Sequence, residues 1–268
     1  MAQIAVEPSL PAITDKYART SSFDEMIGAD GRVRPHWSTI VAGIEALTHA
    51  QRLDRIDRIQ TRVRETGIAH DLFVDPAQNR QPWRLDLMPV VFSAAMWAEI
   101  EAAVTQRARL FEAILANVYG SQSLLRSGHI PPELVFSDPS YLRACRGLEP
   151  SLGRVQFFAA DLARDAQGRW QILDTHVETP AGIGYALANR MVLTHVSGDL
   201  FSATRAMRLA SYFQQMQESL ARRANRPDPA IALLTPGPHH GDFFSHAYLA
   251  RYLGLLLVEG DDIRVDDG

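Results

Sequence analysis

Residues 154–174 hold the feature that most limits the fold. RVQFFAADLAR favours extended chain, Asp165-Ala166-Gln167-Gly168 is a turn with glycine where positive φ is easy, and RWQILD returns as a second strand. The pattern predicts a β-hairpin with Asp161 on one arm and Asp174 at the far end of the other. These aspartates stand 13 residues apart, with the turn almost centred between them. Opposed positions on a tight ladder lie close enough for two carboxylates to converge. Carboxylates held about 4–5 Å apart repel unless a cation or a proton lies between them. Hard oxygen donors presented in this way suit Mg2+ or Mn2+. By spacing alone, an aspartate at a strand end is more often a surface or turn residue.

The sequence before the hairpin reads as helical packing material. Ser22-Phe23-Asp24-Glu25 has capping-box spacing, and Thr48 with Gln51 repeats it ahead of a better helix that Gly67 closes. Leu53, Ile56, Ile59 and Val63 recur there at steps of three and four, opposite a charged, solvated face. Ser93 caps the longest predicted helix, Ala94 to Tyr119, with Gly120 as its stop. Leu124 to Phe136 reads as a short helix, a Pro131-Pro132 turn and a strand-like LVF, followed by one helical turn at Ser140 to Cys145.

After the hairpin comes the irregular loop THVETPAGIG, then a helix through ALANRMVLTHV and an amphipathic helix over 204–225 with Met207, Leu209, Phe213, Met216 and Leu220 on its apolar face. Arg226-Pro227-Asp228-Pro229 is a linker. Beyond it, AIALLTPG reads as a buried strand, PHHGD as a loop, FFSHAYLARYLG as a helix and LLLVEGDDIRV as a strand. That order predicts the start of a parallel α/β layer, with too few strands to cover itself.

Composition excludes several function classes. The 268 residues carry a net charge of −4, with 22% charged and 46% hydrophobic residues, which argues against a nucleic-acid-binding surface. No apolar run reaches the roughly 20 residues of a membrane helix, and the N-terminus lacks the basic start and apolar stretch of a secretion signal. The expectation is a soluble, cytoplasmic protein. Cys145 is the only cysteine, which excludes an intrachain disulfide and a Cys-based zinc site. Lys16 is the only lysine and the other 26 basic residues are arginines, as GC-rich bacterial coding produces.

The stretch AADLARDAQGRWQILDTHVETPAGIGYALANR resembles the metal-binding hairpin of ATP-grasp ligases, in which an Asp on the first strand is followed 13 residues later by an acid and two further on by Asn. Asp161, Asp174 and His176 occupy those positions. FDEM at 23–26, Arg34-Pro35-His36, RLDLMP at 84–89 and QRARLFEAILANVYG at 106–120 extend the likeness, as do IPPELVF at 130–136, LTPGP at 234–238 and HAYLARYLGLLLVEGDDI at 246–263. The chain from about residue 23 onward is thus similar to the circularly permuted ATP-grasp type 2 proteins, relatives of glutathionylspermidine synthetase-like ligases.

This resemblance implies an α+β or α/β, ATP-grasp-like, circularly permuted and incomplete fold. It divides the chain into a mobile tail (1–22), a helical N-terminal region (23–92), an ATP-grasp portion with the metal hairpin (93–226) and the start of an α/β layer (227–268). It implies ATP with Mg2+ or Mn2+ as cofactors, Asp161, Asp174 and His176 as metal ligands, and Glu178, Gly182 and Arg190 at the nucleotide. The implied reaction joins a small-molecule acid to an amine through an acyl phosphate. Neither nucleic acid nor membrane is a partner, and an all-helical domain fused or encoded nearby is expected by association. The phosphate-binding lysine of such ligases would lie in the last part of a permuted fold, so a chain without lysine beyond position 16 reads as an N-terminal fragment.

The departures are local. His176 replaces an amide, Glu178 stands where Arg or Gln is common, Ala181 replaces Ser and Ala188 replaces an acid. They leave two readings: a ligase whose site is tuned to another metal, with His176 and Glu178 as extra ligands, or a non-catalytic ATP-grasp-like binding or assembly module. His239, His240 and His246 cluster around one loop at spacings unlike a zinc set, so a structural or substrate-loop role is expected of them. Trp37, Trp83, Trp97 and Trp170 are expected as core or interface anchors and Cys145 as buried filler.

Overall fold

The computed structural model describes residues 17, 23–68, 83–178, 181–224 and 226–266. Lys16 and, apart from Tyr17, the expected tail 1–22 lie outside them. In chain order the elements begin with the helices α1 (Ser38–Glu45), α2 (His49–Thr66), α3 (Ala94–Tyr119), α4 (Ser123–Arg126) and α5 (Pro132–Phe136). Then come the strands β1 (Ala159–Arg164) and β2 (Trp170–His176), and the helices α6 (Ile183–Val196), α7 (Gly198–Ala203) and α8 (Ala210–Ala221). β3 (Ala232–Leu234), α9 (Phe243–Leu253) and β4 (Leu256–Val258) complete the set. Among the described residues no helix is long and apolar enough to cross a membrane.

Packing divides the chain into two units, residues 1–91 with 181–268, and residues 92–180. In the first, Ile40 and Ile44 of α1, Ile59 and Val63 of α2, Tyr185, Ala188, Val192 and Val196 of α6, and Phe244 of α9 form one buried apolar cluster. The capping box that sets the register of α2 is complete. Thr48 Oγ1 accepts from Gln51 N (3.2 Å) and Gln51 Oε1 accepts from Thr48 N (2.8 Å). Only the C-terminal half of the expected α2 stripe is buried, because Leu53 and Ile56 are exposed. On the charged face Arg55 is more than solvated: it makes a two-pronged bond to Asp199 in α7, at 3.0 and 2.7 Å. α6 and α9 approach so closely at Gly184 that its backbone N–H reaches Ser245 Oγ (3.0 Å). β3 and β4 pair in parallel, as expected, and α9 connects them.

In the second unit Ser93 caps α3, its Oγ accepting from Met96 N (3.1 Å). Glu112, in the middle of α3, accepts from the backbone N–H groups of Arg154 (2.8 and 3.0 Å) and Val155 (2.8 Å). This one carboxylate ties the chain entering β1 to the long helix. Tyr119 stacks on Tyr141 at 5.1 Å and Phe111 packs against Phe158 at 5.9 Å.

Several expectations need correction. No helix forms around Phe23–Glu25; Asp24 Oδ1 instead accepts from the backbone N–H of Met26 (2.9 Å) and Ile27 (2.7 Å), and Ile27 bridges to Val33. The strand-like LVF at 134–136 is the end of α5, because Pro132 at its first turn pre-sets a helical φ. Of the single helix expected over 204–225 only α8 forms; residues 204–209 are not helical, Arg205 among them at φ 51°, so Met207 lies outside any helix and is 69% exposed. β3 is not a buried strand, since Ala232 and Leu234 are exposed and only Leu233 between them is half-buried. The last expected strand stops at Val258, and Gly260–Asp262 is a 3-10 turn. Trp97 is exposed and Cys145 half-buried.

Candidate metal centre

The hairpin turn forms as its sequence dictates. Gly168 adopts φ 81°, and Asp165 Oδ1 accepts from the backbone N–H of Gln167 (3.0 Å) and Arg169 (2.9 Å). The Arg169 backbone bond, with the Arg169 side chain beside it, holds the Asp165 carboxyl below its ordinary range.

β1 and β2 pair antiparallel with Ala159 opposite His176, Ala160 opposite Thr175 and Asp161 opposite Asp174. The register then shifts, and Leu162 pairs with Ile172, leaving Leu173 as an extra, 69% exposed residue of a β-bulge. Opposed residues share a face, and positions two apart along a strand share it too. Asp161, Asp174 and His176 therefore stand on one side of the ribbon. Leu162, Arg164, Trp170 and Ile172 are half-buried on the other, with the Arg164 guanidinium 3.9 Å from the centre of the Trp170 ring. Continued regularly from the turn, where Leu162 faces Ile172, the ladder would set Leu173 opposite Asp161 and turn Asp174 to the other face; the bulge brings the two aspartates together. Spacing revealed the acid pair; it did not reveal the bulge that brings the pair onto one face.

The three side chains converge. Each of Asp161, Asp174 and His176 offers one donor atom, and these atoms all lie within 4.8 Å of one another. His176 Nε2 is 3.2 Å from Asp161 Oδ2, and Asp174 Oδ1 accepts from the backbone N–H of Thr175 (2.7 Å). Among the described residues no arginine is bonded to either carboxylate, and no other three His, Cys, Asp or Glu side chains gather in this way. Two solvent-facing carboxylates with an imidazole beside them fit a divalent cation, which offsets their repulsion and leaves positions open for water or phosphate oxygens. Glu178 is exposed two residues on and is not one of the three.

Gly182 and Arg190 belong to the other unit. Gly182 is the N-cap of α6 at φ 91°, a conformation glycine adopts without strain. Arg190, two turns along α6, donates to the carbonyl of Met207 (3.0 Å) and lies 5.2 Å from the Phe201 ring centre, and burial lowers its pKa. Trp83 stacks on Tyr185 at 4.9 Å and its indole N–H donates to Asn189 Oδ1 (3.0 Å). The three loop histidines do not assemble a metal set: His240 stacks on His246 at 6.1 Å, and His246 Nδ1 lies 3.0 Å from Thr235 Oγ1. Burial holds the His246 imidazole below its ordinary range.

Known proteins share this arrangement of sequence. An uncharacterized protein of Mycobacterium tuberculosis is 36% identical over 261 residues, 92% of this chain and 29% of that protein. A second from the same organism is 34% identical over 257 residues, covering 95% of this chain and 46% of its own length. One from Synechocystis is 28% identical over 249 residues, 92% of this chain and 52% of its own. The chain thus spans about half or less of the length of these curated relatives. Residues 89–268 match the family pattern across both strands of the hairpin, and the chain belongs to the circularly permuted ATP-grasp type 2 family.

Proposed function

We propose that this chain supplies the metal-binding part of an ATP-dependent carboxylate–amine ligase that works through an acyl phosphate. The observation that carries the reading is the meeting of Asp161, Asp174 and His176 on one exposed face of the hairpin of an ATP-grasp protein. Asp161 and Asp174 would hold Mg2+ or Mn2+, with His176 as a third donor. Such an ion, when bound, neutralises charge on the β- and γ-phosphates of ATP. The protein's own work is positioning: Thr175 N–H fixes the Asp174 carboxylate, and Glu112 fixes the approach to β1. Gly182 at the start of α6 and Arg190 within it are the proposed nucleotide-side residues, together with Glu178. The phosphate-binding lysine is assigned to sequence of the kind the longer relatives carry beyond the matched region. Small-molecule acid and amine substrates, a cytoplasmic setting and a neighbouring all-helical partner belong to the same reading.

Calorimetric titration with Mn2+, alone and with ATP, tests the assignment. Wild type should bind the ion, and Asp161→Asn and Asp174→Asn should each weaken binding by about 10–100-fold, the range seen even for groups one shell out. Unchanged affinity in both variants removes the hairpin from the mechanism. A second reading, a non-catalytic binding or assembly module, draws on the 3.2 Å contact that already gives Asp161 a partner in His176. Nucleotide binding without an ion at the hairpin, and no ADP release in the presence of acids and amines, would favour it.

A further inference from the structure

Within the hairpin, His176 differs chemically from its two neighbours. Its imidazole nitrogen is a softer donor than a carboxylate oxygen and suits first-row transition ions, whereas Mg2+ prefers oxygen alone. The ladder places it where a ligand must stand. His176 is two residues along β2 from Asp174 and diagonal to Asp161, so all three project from the same side of the ribbon. Its Nε2 lies 3.2 Å from Asp161 Oδ2, close to the roughly 3 Å edge that two adjacent ligands span on an ion with bonds near 2.1 Å. The imidazole is also free to adjust, as its side chain is 46% exposed and Asp161's is 63% exposed.

Resting on the reading of this hairpin as a metal site with His176 as its third donor, we propose that His176 sets the ion preference, drawing the site toward Mn2+ and away from Mg2+. Mn2+ stands lowest of the first-row transition ions in the ordinary affinity order, but it accepts an imidazole nitrogen more readily than Mg2+, which keeps to oxygen donors and its own waters. The bulge at Leu173 contributes by bringing Asp174 and His176 onto the face that Asp161 occupies. Glu178 is not needed in this set.

The test is a Mn2+ titration followed by the EPR signal of the free ion, repeated with Mg2+ as competitor, on the whole chain and on His176→Asn, His176→Ala, Asp161→Asn and Asp174→Asn. His176→Asn keeps a donor oxygen and should lose about 10–100-fold in Mn2+ affinity, while Mg2+ affinity holds or rises, so the Mn2+/Mg2+ ratio collapses. In wild type, sub-stoichiometric Mn2+ should broaden the His176 imidazole NMR resonances ahead of those of His129 and His195; this readout needs no variant to fold. If His176→Asn binds both ions as wild type does and those resonances stay sharp while the aspartate variants lose the ion, the imidazole plays no part and only the carboxylate hairpin survives. If wild type binds neither ion, or the aspartate variants bind as wild type does, the hairpin reading falls and this inference with it.

Discussion

Gly184→Ala separates tertiary geometry from local propensity, because the two predict opposite signs. In a helix interior alanine is favoured over glycine by about 1 kcal/mol, an upper bound for Gly184, the second residue of α6. At Gly184, however, a Cβ would lie 2.7 Å from both Cα and Oγ of Ser245 and closer still to its carbonyl oxygen. Real Cβ atoms essentially never approach other heavy atoms within 3.0 Å, and two of those neighbours are backbone of α9, so the helices themselves must part. Overpacking of this kind costs about 1–3 kcal/mol, and parting the helices also weakens the buried Gly184 N–Ser245 Oγ bond, worth about 1 kcal/mol. Setting the helix gain against these losses leaves a destabilisation of about 1–3 kcal/mol. With a urea slope of about 1–3 kcal/mol per molar, the midpoint should fall by roughly 1 M. Tryptophan fluorescence follows this region, since Trp83 stacks on Tyr185 beside the substituted residue. Adding Ser245→Ala should recover only part of the loss, because the backbone of residue 245 still stands in the way of the new methyl group. A midpoint that rises on Gly184→Ala would refute the close approach of α6 and α9.

Thr48→Ala should lower stability by about 1 kcal/mol, because it opens the capping box of α2; Thr48→Ser should restore most of it in the same urea assay. Arg55 holds the Asp199 carboxyl below its ordinary range chiefly through the side-chain bond, assisted by the Leu200 backbone N–H and opposed by burial. A depressed carboxylate contributes stability above its unfolded value near pH 4 and loses it as pH falls through the lower folded value. The stability difference between wild type and Asp199→Asn should thus be constant from pH 5 to 8, below about 1 kcal/mol at this exposed pair, and should vanish under stronger acid; a difference that grows with acid would contradict the pairing.

What the sequence disclosed was local. The caps at Thr48 and Ser93, the stops at Gly67 and Gly120, and the turn at Gly168 are each decided by a few neighbouring atoms, and all stand where the residues put them. Capping-box spacing at Phe23–Glu25 misled because an aspartate that accepts two backbone N–H groups can close a turn as readily as start a helix. The non-helical stretch 204–209 carries no glycine or proline, so the spacing of Met207 and Leu209 reads as a first turn leading into α8. Contacts between distant segments, such as Gly184 with Ser245 or Glu112 with Arg154, leave no trace in spacing at all. The acid pair was legible from its spacing about the turn, but its meeting on one face depends on the bulge at Leu173, which spacing does not show. The placement of Gly182 and Arg190 in a different unit was not legible, since it depends on how residues 181–268 pack with residues 1–91.

The odd residue at Leu173 has a consequence for how such a ribbon can change over generations. Because it lets the two sides of the ribbon keep separate memberships, the donors at positions 161, 174 and 176 share no face with the half-buried Leu162, Trp170 and Ile172. Chemistry on one side is therefore decoupled from folding on the other, and a lineage could exchange an amide for an imidazole, or abandon ion binding altogether, without the scaffold registering the difference.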